Sequence, residues 1–108
     1  MASQPETRFK IKVLKEVRKI PKLWCFKVEA GAIAGTPDII GCVNAHFFAL
    51  ELKTETGKLS QLQKHKIERI RKNGGYAEVV RPSNLKMVLS DLNQIAVGKA
   101  LNHLYISP

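Results

Sequence analysis

With 108 residues, 44% of them hydrophobic, the chain has material for one small core and one domain, taken as residues 1–108. Lys and Arg number 18 against 9 Asp and Glu, a formal charge of +9 with a pI near 9.8, so the expected partner is a polyanion: nucleic acid first, an anionic membrane surface second. No apolar run nears the roughly 20 residues that span a bilayer, and the polar start is not a signal peptide. Membrane insertion and secretion are thereby set aside, and the expected setting is cytoplasmic, or wherever the nucleic acid is.

Residues 6–20 read as a basic amphipathic helix stopped by Pro21. Phe9, Val13, Val17 and Ile20 share one stripe of it. Glu16 falls in or beside that stripe, whereas Lys12, Lys15 and Lys19 lie elsewhere on the helix surface. Residues 23–30 follow as a strand with Trp24, Phe26 and Val28 on one face and Cys25, Lys27 and Glu29 on the other. The segment from Gly31 to Pro37 is a small-residue loop that admits close approach of another backbone or a phosphate. Two strands then form a hairpin turning about Asn44-Ala45. After a polar turn at 54–58, Ser60 is an N-cap for a helix to about Asn73, closed by Gly74-Gly75. A fourth strand runs from Tyr76 to Val80, Arg81-Pro82-Ser83 breaks the chain, and residues 84–104 are helical in pattern, as one helix or as two pieces split near Ser90-Asp91 or Gly98. The order helix, three strands, helix, strand, helix places the chain in the mixed α/β (α+β) class. The sheet is mixed and flanked by helices, with the last pair of strands parallel across a right-handed crossover. Cys25 and Cys42 sit in apolar runs without a C-x-x-C arrangement and read as reduced, buried thiols. The few aromatics read mostly as core, so base stacking is poorly supported.

The chemistry gathers at the ends of the hairpin. A turn symmetric about residues 44 and 45 opposes Val43 with His46 and, in the same register, Asp38 with Glu51. Opposed residues on one face hold their Cβ atoms roughly 4.5–5.5 Å apart. Two carboxylates that close repel unless a cation lies between them, and magnesium, which accepts carboxylate oxygens and keeps several waters, suits the place. Strand alternation puts Glu51 and Lys53 on one face and Leu50 and Leu52 toward the core. An acid and a lysine two apart are ordinarily a solvated face, but here they end two very apolar strands, where burying charge is costly without compensation. On the second helix, Gln63 and Lys66 share the sector of Leu59, Leu62, Ile67 and Ile70. Gln63 either caps a nearby backbone group or descends toward the acids to orient water or hold a phosphate; Lys66 can simply snorkel. Basic residues cluster at 8–27 and 58–72 with few acids among them. Lys12, Lys15, Lys19, Lys58, Lys64, Lys66 and, after the fourth strand, Arg81 are the expected phosphate contacts, each worth about 0.9 in the salt slope on duplex DNA. His46, His65 and His103 are scattered and read as surface or packing residues.

Gly35-Thr36-Pro37-Asp38, Glu51-Leu52-Lys53, Leu59-Ser60 with Gln63, Gly74-Gly75 and Val79-Val80-Arg81, in that order, resemble the PD-(D/E)XK nuclease superfamily and, within it, the VRR-NUC family, over roughly residues 6–85. One departure is Pro82 where the family pattern has a second arginine, so no role of that arginine carries over. The resemblance implies a restriction-endonuclease-like αβββαβ core, with the segment from about 84 to 104 as an extra C-terminal helix. It also implies divalent-metal-dependent cleavage of DNA, with Asp38, Glu51 and the backbone carbonyl of Leu52 as metal ligands. Lys53 would position or deprotonate the attacking water, and Glu16 is the acid matching the first-helix glutamate that completes the site in many members. Stand-alone members of this size are similar to Holliday-junction resolvases and tend to be homodimers. Beside two carboxylates Lys53 is expected to stay charged, which favours positioning over proton abstraction.

The reading is thus a magnesium-dependent DNA endonuclease, with manganese able to substitute and no organic cofactor, selective for branched or otherwise structured DNA and acting as a homodimer. The alternative is a non-catalytic basic DNA-binding module of the same fold; an RNA-directed nuclease is a third. The C-terminal apolar residues Leu92, Ile95, Val97, Leu101 and Leu104 supply either a dimer interface or the remainder of the core.

Overall fold

The computed structural model describes residues 4–29 and 31–101; His103 and Leu104 lie outside them. Helix α1 spans Pro5–Val17, with proline in its first turn, where a missing N–H costs nothing. It ends three residues before the expected stop. The chain then turns tightly, with Lys19 N and Ile20 N donating to the carbonyls of Glu16 and Val17. Val13, Val17 and Ile20 are buried as the periodicity requires, and Phe9 packs against them.

Strands β1 (Leu23–Lys27), β2 (Ile39–Val43) and β3 (His46–Leu52), helix α2 (Gln61–Lys72), strand β4 (Tyr76–Val80) and helix α3 (Leu85–Ala96) complete the fold. The sheet runs β1-β2-β3-β4, antiparallel across the first two pairs and parallel between β3 and β4. The hairpin register is the expected one: Val43 pairs with His46 and Ile39 with Leu50. Asn44 and Ala45 take φ of 47° and 70°, so the tight turn matches the twist of its flanking strands. At Gly41 a Cβ would lie 2.2 Å from the carbonyl oxygen of Trp24, so only glycine lets β1 and β2 approach there.

The two faces of the sheet are unequally covered. On one, α1 and α3 bury Cys25, Ile39, Val43, Phe48, Leu50, Leu52, Tyr76 and Val80 in a single cluster. On the other, α2 sets Ile67 over Ala77 and Val79 of β4, with Leu59 and Ile70 at the margin. The β1 side of that second face has no helix over it among the described residues. Three expectations change as a result. Trp24 and Phe26 are 63% and 44% exposed, and Phe47 likewise 44%, rather than core. Cys42, on the same face, is exposed; only Cys25 is buried. Leu62 faces the 31–37 loop instead of the core, and its side chain and carbonyl limit Gly35, which needs φ of +83° there.

The C-terminal alternative resolves toward the core. A short 3₁₀ turn at Pro82–Asn84 leads into α3, whose Leu85, Val88, Leu92 and Ala96 are buried, with Ile95 and Leu101 packed against them. Of the expected interface residues that are described, Val97 alone stands out, at 61% exposed. The helix ends at Ala96, and Gly98 turns with φ of +78°, one of the two expected break points; residues 102–104 lie outside the described residues. No helix among the described residues is long and apolar enough to cross a membrane.

Candidate active site

Asp38 enters β2 and Glu51 leaves β3, side by side at one end of the hairpin. The Asp38 Oδ2 accepts from the backbone N–H of Leu52 at 2.7 Å, which ties the two strand ends together through the acid itself. The Asp38 carbonyl accepts from Val28 N at 2.8 Å, extending the β1–β2 ladder beyond Lys27. Backbone bonding thus fixes Asp38 on both sides, whereas Glu51 is fixed by burial. The residue is 4% exposed, and its Oε1 has no hydrogen-bond partner. A buried carboxylate oxygen without a donor is costly. Burial, then the adjacent Asp38 carboxyl, pushes the Glu51 carboxyl up to about 8, against the pull of Lys53 and Lys10.

Lys10 was not singled out from the sequence. Its Nζ lies 3.6 Å from Asp38 Oδ1, and with Thr7, Ile11, Leu14, Lys27, Ile39 and Leu52 it lines a cavity against Asp38. The missed signal was helical: Glu6, Lys10 and Leu14 form one i, i+4 row of α1, of which Lys10 and Leu14 line the cavity at the sheet end. Glu16 is not on it. Glu16 lies at the far end of the helix, ion-paired with Lys19 at 3.3 Å. Among the described residues no third acid joins Asp38 and Glu51, so Glu16 does not complete the pair. Glu6 is the acid of α1 that shares the Lys10 row.

Gln63 is held elsewhere. Its Oε1 accepts from Ser60 N at 2.9 Å while Ser60 Oγ accepts from Gln63 N at 3.1 Å, a reciprocal cap at the start of α2. Of the two readings for Gln63, the structure shows the backbone cap. Arg81 is likewise internal: its guanidinium donates to the carbonyls of Thr54 at 2.6 Å and Gly57 at 2.7 Å, clamping the turn that follows Lys53. Glu55 accepts from Ser83 N across the same turn. Arg81 is thus a brace for the Lys53 segment rather than an exposed phosphate contact. Arg71, counted in the basic cluster of α2, donates to Glu78 and to the Ala77 carbonyl and is mostly covered. Lys12, Lys15 and Lys58 are exposed, Lys64 and Lys66 half-buried, and Lys19 is the partner of Glu16. His46 and His65 are exposed.

Among the described residues no three His, Cys, Asp or Glu side chains converge as a metal cluster. The donor set at this end of the sheet is two carboxylates with an adjacent strand carbonyl. One or two carboxylates with remaining waters is how magnesium is commonly held, and the partnerless Glu51 Oε1 is the oxygen a cation would satisfy. The residues present therefore fit such an ion.

A four-stranded mixed sheet between helices, with an acid opening one central strand and an acid-x-lysine closing the next, defines an α+β nuclease-type domain with a restriction-endonuclease-like core. A search of the curated proteins matches none. The family model described as the VRR-NUC domain matches residues 7–84, most of the chain, and the protein belongs to that family.

Proposed function

We propose that this chain is a magnesium-dependent DNA endonuclease that cuts next to a branch or other departure from plain duplex. The observation that carries the proposal is the buried, partnerless Glu51 Oε1 beside Asp38, with Lys10 and Lys53 flanking both. Asp38, Glu51 and the Leu52 carbonyl would hold the ion. Bound there, it would supply charge neutralisation at the phosphate and activation of water.

The remaining work falls to the chain. Lys53 shares the Glu51 face by strand alternation and sits on a segment braced by Arg81 through the Thr54 and Gly57 carbonyls. As an ammonium beside carboxylates it orients water and steadies charge developing on the phosphate, rather than taking a proton. Lys10 approaches the same acids from α1, limiting their mutual repulsion before substrate arrives. The exposed lysines Lys12, Lys15 and Lys58 supply the sequence-independent attraction to the DNA backbone. The test is cleavage of labelled junction, flap and linear DNA in magnesium or manganese by the wild type, Asp38→Ala and Lys53→Ala. Cleavage of branched substrates by the wild type alone is expected; equal rates for all three proteins refute the proposal.

A further inference from the structure

Trp24, Phe26 and Phe47 share the face of the sheet that α2 leaves open. In register, Trp24 lies opposite Cys42, Cys42 opposite Phe47, and Phe26 opposite Ile40, so these side chains form one apolar field across three strands. The rings of Trp24 and Phe26 are 5.5 Å apart between centroids. Glu51 is on the same face of β3 as Phe47, four residues along, or about 13 Å at roughly 3.3 Å per residue. α2 borders the field with basic residues. One cleft of about 430 Å³ runs between Thr36-Pro37 and His65, Lys66, Arg69 and Ile70. A second, of about 310 Å³, continues from Arg69 and Ile70 to Phe47 and Asn73. The first starts at the residues preceding Asp38, and neither cleft is lined by an acid.

We propose that this face binds a single-stranded DNA arm that continues from the cleavage site, with Trp24, Phe26 and Phe47 stacking bases and Lys66 and Arg69 meeting phosphates. Exposed aromatics beside unopposed cations are the combination that single strands use, because every base has a face to stack and every linkage a charge. A second copy of the chain is the poorer occupant. A second copy brings the same +9 charge to a face that attracts a polyanion. The proposal rests on the nuclease reading only for where the arm leads; binding itself needs no cleavage.

Trp24 is the chain's one tryptophan, so the unmodified protein carries the probe. In chelator, the full chain is titrated with oligothymidine and with a duplex bearing a single-stranded tail, following tryptophan emission and the polarisation of labelled DNA. Emission should be quenched with the same midpoint as the polarisation change. Trp24→Ala and Phe26→Ala should each weaken binding of the tailed duplex by about five- to a hundredfold, the usual worth of one stacked base. The loss should be far larger than on a blunt duplex. Arg69→Gln should lower the salt slope on oligothymidine by about 0.7. Polarisation without quenching, or equal affinity of Trp24→Ala and wild type for the tailed duplex, overturns the proposal. So does burial of Trp24 that follows protein concentration and dimer formation in sedimentation, which would give the face to a second copy. Quenching without Asp38-dependent cleavage would instead sink the nuclease reading and leave this one standing.

Discussion

Replacing Glu51 with glutamine should stabilise the metal-free protein at alkaline pH, although it removes the residue on which the proposed chemistry depends. The folded carboxyl ionises near about 8, against 4.5 ordinarily, because it is buried and faces Asp38. Below pH 4.5 both folded and unfolded chains hold the proton, and the site costs nothing. Between 4.5 and about 8 the unfolded chain gives up its proton while the folded one keeps it, so stability falls as pH rises. Above 8 the folded protein carries the full cost of a buried anion. At about 1.36 kcal/mol per tenfold, that interval bounds the cost near roughly 5 kcal/mol.

Asp38 shares the repulsion, and glutamine still leaves a polar amide in the slot, so the expected gain at pH 8.5 is about 1–3 kcal/mol. For a chain of this size that raises Tm by about 5–15 °C. Thermal unfolding of wild type and Glu51→Gln in chelator, from pH 4 to 9, reads it directly: the curves should meet at acid pH and diverge as pH rises. A variant less stable than wild type at pH 8.5, or a gap that does not change with pH, would refute the claim that a strained carboxylate pair waits for a cation.

Addition of millimolar magnesium or manganese at pH 8 should raise the wild-type Tm, by the mass-action term RT ln(1 + [L]/Kd), and should leave Glu51→Gln and Asp38→Ala nearly unmoved. Lys53→Ala should lower single-turnover cleavage by about a hundredfold or more with little loss of DNA affinity, since its charge is needed where charge develops; a change in affinity alone would assign it to binding. Arg81→Ala should cost about 0.5–1.5 kcal/mol by removing the guanidinium that ties the Thr54 and Gly57 carbonyls together, visible as a lower denaturation midpoint. Gly41→Ala should be among the most damaging small substitutions, because its Cβ meets β1 backbone rather than a movable side chain; near-wild-type stability would contradict the strand spacing.

The hairpin was legible because three local signals agree on it: a turn at Asn44-Ala45, apolar strands on either side, and acids at matched distances from the turn. Register then follows from arithmetic, and the Asp38–Glu51 pair with it. Where the sequence reading failed, the missing quantity was always the identity of the facing element. An amphipathic projection says that Glu16 borders the apolar stripe of α1, but not that the helix crosses the carboxylates near its first turns, where Lys10 lies. Alternation in Leu23–Lys27 separates Trp24 and Phe26 from Cys25 and Lys27 but does not say which set a helix covers, and only the placement of α2 over β4 decides that the aromatics stay uncovered. Arg81 failed for a related reason. A guanidinium meets a phosphate or a set of carbonyls with the same five donors, and the carbonyls it meets here belong to a turn more than twenty residues away. Local pattern therefore fixed which residues are chemical, and long-range packing fixed which of them meet. The same division makes the open aromatic face informative: a small core had apolar residues to spare, and three aromatics on one uncovered face, running toward the carboxylates, are more than incidental exposure accounts for.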